Sequence, residues 1–88
     1  MLIQAFEWDE YNAEHVATHG VTPDEVEEAL LGRRYTFRTW TGRYVALGRS
    51  QAGRHLFIVF EYLGGGVARP FSARDMNPKD RRLYRLKI

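Results

Sequence analysis

HLFIVFEYLGGGVARPFS, residues 55–72, decides how this chain folds. His55 to Tyr62 is a nearly continuous apolar run, as in a central strand buried on both faces. Gly64-Gly65-Gly66 supplies a flexible hairpin tip, and Val67 to Ser72 returns as the partner strand. Pro70 has no N–H to give to a ladder, so it marks an edge or a bulge in that return. Upstream the same two-residue period continues. Tyr35, Phe37 and Thr39 alternate with Thr36, Arg38 and Trp40; Thr41-Gly42 makes a turn, Arg43 to Arg49 a second strand, and Ser50 to Gly53 another turn.

The first third of the chain reads differently. Leu2 to Trp8 predicts a short strand, and Asp9 an N-cap for a helix through His19 that Gly20 closes. Ala13, Val16, Ala17 and Gly20 fall on one narrow face of small side chains, with Asn12, His15 and His19 as a stripe beside it. Thr22-Pro23-Asp24-Glu25 is a capping box with Pro at the first helical position. Val26, Ala29 and Leu30 form the buried face of that helix, Gly32 its stop, and Asp24, Glu25, Glu27 and Glu28 its acidic side. After the strands, Asn77-Pro78 caps a last helix with Leu83 and Leu86 on its apolar side. The expected class is α+β: a short N-terminal strand, two helices, a four-strand antiparallel meander and a C-terminal helix.

At 88 residues the chain makes one small domain. It has no cysteine, which excludes a disulfide framework or a thiolate metal site and fits a reducing cytoplasm. Glu7, Asp9 and Glu10 stand where a signal peptide needs basic and then apolar residues. No apolar run approaches the roughly 20 residues of a membrane span. The expectation is a cytoplasmic protein with no membrane partner.

The net charge of +2 conceals a segregation. Residues 1–31 carry eight acids and no Lys or Arg, whereas residues 32–88 hold all 13 bases and three acids, Glu61, Asp75 and Asp80. Such a field speaks of partners, a polyanion or an acidic protein among them, and the acidic third can also pair with the basic part internally. The densest basic stretch is residues 69–85, where Arg69, Arg74, Arg81, Arg82 and Arg85 accompany the hydroxyls of Ser72 and Tyr84. A guanidinium fork matches phosphate oxygens and stays charged at any working pH, so a phosphate-facing site with RNA as the polyanion is one reading. A solvated helix face with surface ion pairs is the other. Arg38 with Trp40, Arg43 with Tyr44 and Arg54 with Phe57 interleave rings and cations, which suits RNA and equally suits a sheet with Arg stems on its edges.

Other chemistries find little support. His15 and His19 have the spacing of a zinc-binding helix, but Val16 stands where a zincin needs Glu and no third ligand is near in sequence, so no metal is expected. The triple glycine lacks the Lys-Ser/Thr of a phosphate loop, and no Gly-x-Ser-x-Gly elbow occurs. No cofactor is expected.

FEWDEYNAEHVATHGVTPDEVEEAL (residues 6–30), GRYVALGRSQAGRHLFIVFEY (42–62) and RPFSARDMNPKDRRLY (69–84), in that order, resemble BrnT-type toxins. The resemblance implies a RelE-like ribonuclease fold, growth-arresting RNA cleavage, and neutralisation by a cognate DNA-binding antitoxin, with oligomers formed through that antitoxin. Thr18 and His55 depart from the family pattern, which often has Lys at the first position and an apolar residue at the second. On this reading the reaction is metal-independent: the RNA 2′-hydroxyl attacks the adjacent phosphorus and leaves a 2′,3′-cyclic phosphate. Arg74 and Arg69 are the expected clamp on the phosphorane, with His19 as base or acid and Tyr84 as the second acid–base candidate. Arg43, Arg54, Arg81 and Arg82 would hold the RNA backbone. The competing expectation is a non-catalytic module for nucleic acid or protein, including a degenerate toxin that still binds its antitoxin.

Overall fold

In a computed structural model describing Met1–Ile88, the elements run β1 (Ala5–Phe6), α1 (Glu10–Ala17), α2 (Pro23–Leu31), β2 (Arg34–Arg38), β3 (Tyr44–Arg49), β4 (His55–Gly64), β5 (Val67–Asp75) and α3 (Pro78–Lys87). All three helices begin in a reciprocal capping box: Asp9 with Asn12, Thr22 with Glu25, and Asn77 with Asp80. In each, side chain and backbone satisfy one another's first-turn donors, and Pro23 and Pro78 add a preset φ where no N–H is needed. The N-terminal segment, expected as strand from Leu2 to Trp8, pairs only through Ala5 and Phe6. Asn12 explains the early stop. Its amide donates to Glu7 O at 3.0 Å and to Pro70 O at 2.8 Å, drawing the chain off the sheet and into α1.

The sheet order is β1-β5-β4-β3-β2. From β2 to β5 neighbouring strands are antiparallel, but β1 joins β5 in parallel, so the sheet has five strands and is mixed rather than a four-strand meander with a separate leading strand. The parallel pairing follows from the path: α1 and α2 separate β1 from β2 along the chain, which returns to β1's neighbour β5 only after the three hairpins. Opposite Val59 and Phe60 the register slips past Ser72 and Pro70, leaving Phe71 unpaired, a bulge at the position Pro70 signals.

Alternation along the strands divides the sheet into two faces. On one, Ala46, Leu56, Ile58, Phe60, Ala68 and Ala73 meet Val16, Val26, Ala29 and Leu30 from α1 and α2. The contact is close. A Cβ on Gly48 would lie 2.8 Å from Ala29 O, so only glycine lets α2 sit there against β3. On the other face Val45, Leu47, Met76 and Tyr84 form a smaller cluster under α3, flanked by Tyr35, Phe37, Phe57, Val59 and Leu83. β4 is therefore buried on one side only: Leu56, Ile58 and Phe60 are sealed, while Phe57 and Val59 are half-buried. Two helix faces also differ from expectation. α1 turns Asn12 and Val16 inward and leaves Ala17 and Gly20 exposed, because the Asn12 hydrogen bonds fix its rotation. α3 buries Tyr84, and Leu86 is 82% exposed.

Candidate active site

The face that α1 and α2 do not cover carries two cation–aromatic contacts, Arg74 with Phe57 and Lys87 with Tyr35. Ala68 and Ala73 point into the larger core, so Arg69, Ser72 and Arg74 project to the opposite side of β5. Arg74 lies flat over the Phe57 ring, its Cζ 3.9 Å from the centroid. Its Nη1 donates to Asp80 Oδ2 at 2.8 Å and to Asp75 O at 3.0 Å. Asp80 is also the first-turn residue of the α3 capping box, so one carboxylate fixes both the helix start and the guanidinium. Arg43, before β3, lies over Phe71 at 4.0 Å, and the same ring meets His15 of α1 at 5.0 Å between centroids. Guanidinium over an aromatic face is favourable, and stacking holds the donors in a defined plane.

Arg69 sits at the other end of β5, opposite Glu61, whereas Arg74 sits opposite Phe57. Four strand residues separate the two positions, about 13 Å at ~3.3 Å per residue. Arg69 bonds Glu7 at 3.3 Å and Asp9 at 2.8 Å. The Asn12 N–H and then the Arg69 guanidinium hold the Asp9 carboxyl below its ordinary range. Arg54 is a strut between elements: it reaches Asp75 at 2.7 Å, Glu25 at 3.1 Å and Gly20 O at 2.8 Å. Arg82 is exposed on α3, beside Arg85 and Leu86 around a shallow hollow. His19 is exposed beyond the end of α1, and no hydrogen bond, ion pair or ring contact joins its side chain to Arg69, Arg74 or Tyr84. Tyr84 is buried in the smaller core, its ring edge-on to His55 at 5.6 Å.

That ring contact leads to a group the sequence reading passes over. His55 begins β4, pairs with Arg49 across the sheet, and has its Nδ1 2.7 Å from Arg81 Nη2. Burial, then the charges of Arg81, Arg49 and Arg85, push its imidazole below the ordinary 6.5. Gly53, Arg54, His55, Asp75, Met76 and Arg81 line a cleft of about 280 Å³ at this end of the sheet. The sequence signal was weak: one His beside Arg54, with Arg81 far along the chain. Tyr84, Arg54 and Arg81 thus gather around His55 and its cleft, with Arg74 adjoining through Asp75 and Asp80, while Arg69 and Arg43 extend along the sheet and His19 stands apart.

No group of three His, Cys, Asp or Glu side chains converges as a metal set. No helix is long and apolar enough to cross a membrane. A comparison with curated proteins returns no match. The family model described as "Ribonuclease toxin, BrnT, of type II toxin-antitoxin system" matches residues 8–80, from Trp8 before the first helix to Asp80 under Arg74. With most of its length so matched, the chain belongs to the BrnT ribonuclease toxins of type II toxin–antitoxin systems.

Proposed function

We propose that the protein cleaves RNA in the cytoplasm without a metal, on a RelE-like fold, by attack of the substrate's own 2′-hydroxyl on the adjacent phosphorus. The observation that carries this reading is the pair of arginines laid over aromatic rings, each pair with one member on β5: Arg74 on Phe57 and Arg43 on Phe71. Rings and planar cations at sheet spacing suit a single strand whose phosphates meet guanidinium groups and whose bases stack. Arg74 would stabilise charge as it develops on the phosphorane. Arg69, at the far end of β5, would hold the strand, with Arg43, Arg81 and Arg82 on its backbone and Arg54 bracing the wall. Tyr84 serves as the acid, and His19 as an imidazole at the margin. An antitoxin with a DNA-binding domain would neutralise the protein and assemble with it into an oligomer.

The test is a labelled RNA incubated with the protein in EDTA. Cyclic-phosphate ends that vanish with Arg74→Ala support the reading, and undiminished cleavage by that variant removes Arg74 from the clamp. One observation favours a second reading, the binding module: the forks of Arg54, Arg69 and Arg74 are all engaged by carboxylates. Tight RNA or antitoxin binding without cyclic-phosphate products would establish it.

A further inference from the structure

The cleft at the end of the sheet holds two arginines of different kinds. Arg54 is committed to carboxylates on both sides, Asp75 at 2.7 Å and Glu25 at 3.1 Å. Arg81 is exposed, makes no ion pair, and directs Nη2 at His55 Nδ1 from 2.7 Å. A guanidinium has donors and no acceptor, so Nδ1 must be the lone-pair nitrogen and Nε2 must carry the hydrogen. His55 is then a neutral imidazole whose basic lone pair is capped by an exposed cation. The groups facing it come from every neighbouring element: Arg49 from β3, Arg54 from the β3–β4 turn, Asp75 from the end of β5, and Arg81, Tyr84 and Arg85 from α3. Positive charge predominates, and with burial it keeps the imidazole unprotonated at neutral pH.

We propose that this cleft receives an RNA phosphodiester and that His55 is the catalytic base, its Nδ1 uncovered when the phosphate draws Arg81 away. The proposal rests on the ribonuclease reading and deepens it. A phosphate offers Arg81 charge-assisted, bidentate bonds that an imidazole nitrogen cannot match, so binding itself releases the base. The 2′-hydroxyl proton passes to Nδ1 as the bond from the 2′-oxygen to phosphorus forms. The bond from phosphorus to the 5′-oxygen breaks, and that oxygen leaves with the proton of the Tyr84 hydroxyl. Water then takes the proton from His55 and returns one to Tyr84, and both side chains regain their starting forms.

The experiment compares parent, His55→Gln and Arg81→Met on a short RNA in EDTA, reading kcat, KM, RNA affinity and melting temperature. His55→Gln keeps an acceptor for Arg81 yet takes up no proton, so kcat should fall about 10²-fold or more with RNA affinity little changed. Arg81→Met should raise KM by contrast. The parent's kcat/KM, which reports the free protein, should rise with pH through an apparent pKa below 6.5, because the base works unprotonated, and that limb should vanish in His55→Gln. Cleavage by His55→Gln at the parental rate overturns the assignment and leaves the ribonuclease reading standing. A parent that forms no cyclic phosphate overturns both. If His55→Gln melts early, the parental pH profile decides alone: an absent acid limb rejects His55.

Discussion

Phe57 and Phe60 stand three residues apart on β4 and face opposite sides of the same sheet. Phe60 is fully sealed among α1, α2 and the strands, whereas Phe57 is half-buried and lies under the Arg74 guanidinium. The first face is finished by two helices and seals Phe60 among aliphatic and small residues, with Phe6, Trp8, Tyr44 and Tyr62 packed around it. The second is finished by α3 alone, which packs on β2 and β3 and touches β4 and β5 only through side chains such as Arg81 to His55 and Asp80 to Arg74. One sheet thus has a sealed side and a half-open side, and the difference comes from helix coverage more than from strand composition.

The sharpest way to break this division is to truncate each ring. Phe60→Ala should cost about 3–5 kcal/mol of stability, as a sealed core cavity does. Phe57→Ala should cost about 1–2 kcal/mol, since less area leaves the core and one cation–aromatic contact goes. Chemical denaturation of both variants checks the ratio; equal losses would mean the two faces share one core. Next in size, Arg74→Ala should lower kcat/KM on RNA about 10²–10³-fold, the usual effect of removing one donor from a developing anion. Its melting temperature should shift little, because the Arg74–Asp80 pair is part-exposed at 2.8 Å.

Gly48→Ala probes the closeness of the packed face and should destabilise by about 1–3 kcal/mol, through the clash with Ala29 O. A methyl group there pushes α2 away from β3, which a thermal melt would register. The smallest effect is electrostatic. The Thr22 N–H and Arg54 hold Glu25 below its ordinary 4.5, and Arg54 holds Asp75 below its ordinary 3.8. A carboxyl lowered in the folded state contributes stability above its unfolded pKa and loses it as pH falls through the folded one. Stability should therefore begin to fall below about pH 4.5 and decline through the range beneath pH 4. Arg54→Met should flatten that slope, with a loss at pH 7 of about 1 kcal/mol or less per pair, since both are partly solvated. Urea midpoints across pH would show it.

What the sequence made legible is what local chemistry controls. Thr22-Pro23 with Glu25, and Asn77-Pro78 with Asp80, start helices because a capping box closes within four residues. The triple glycine makes its hairpin because Gly64, Gly65 and Gly66 all take positive φ. Pro70 marks its bulge for want of an N–H. Features that need distant partners stayed hidden. Nothing local tells that β1 lies parallel to β5, or that α3 is too short to seal Phe57 and Val59. The segregation of acids from bases was visible, but not that Glu7, Asp9 and Glu25 fold back onto Arg69 and Arg54. The cleft was hidden for the same reason, because Arg81 meets His55 from 26 residues away.

The parallel pairing of β1 has a kinetic consequence. It consists of two registered residues, Ala5 with Val67 and Phe6 with Ala68, held by short bonds from Gln4, Ala5 and Glu7 to Gly66 and Ala68. Closing it spans most of the chain, and so few bonds offset the loop entropy that this edge should form late and open first. Glu7 follows directly on it and bonds Arg69 across 62 residues, whereas Asp9, the other carboxylate on Arg69, is tied to α1 by its capping box with Asn12. Opening of the N-terminal strand should therefore loosen one of the two carboxylates on Arg69 and leave the other in place. Amide protons at Ala5 and Glu7 should exchange faster than those of β3 and β4.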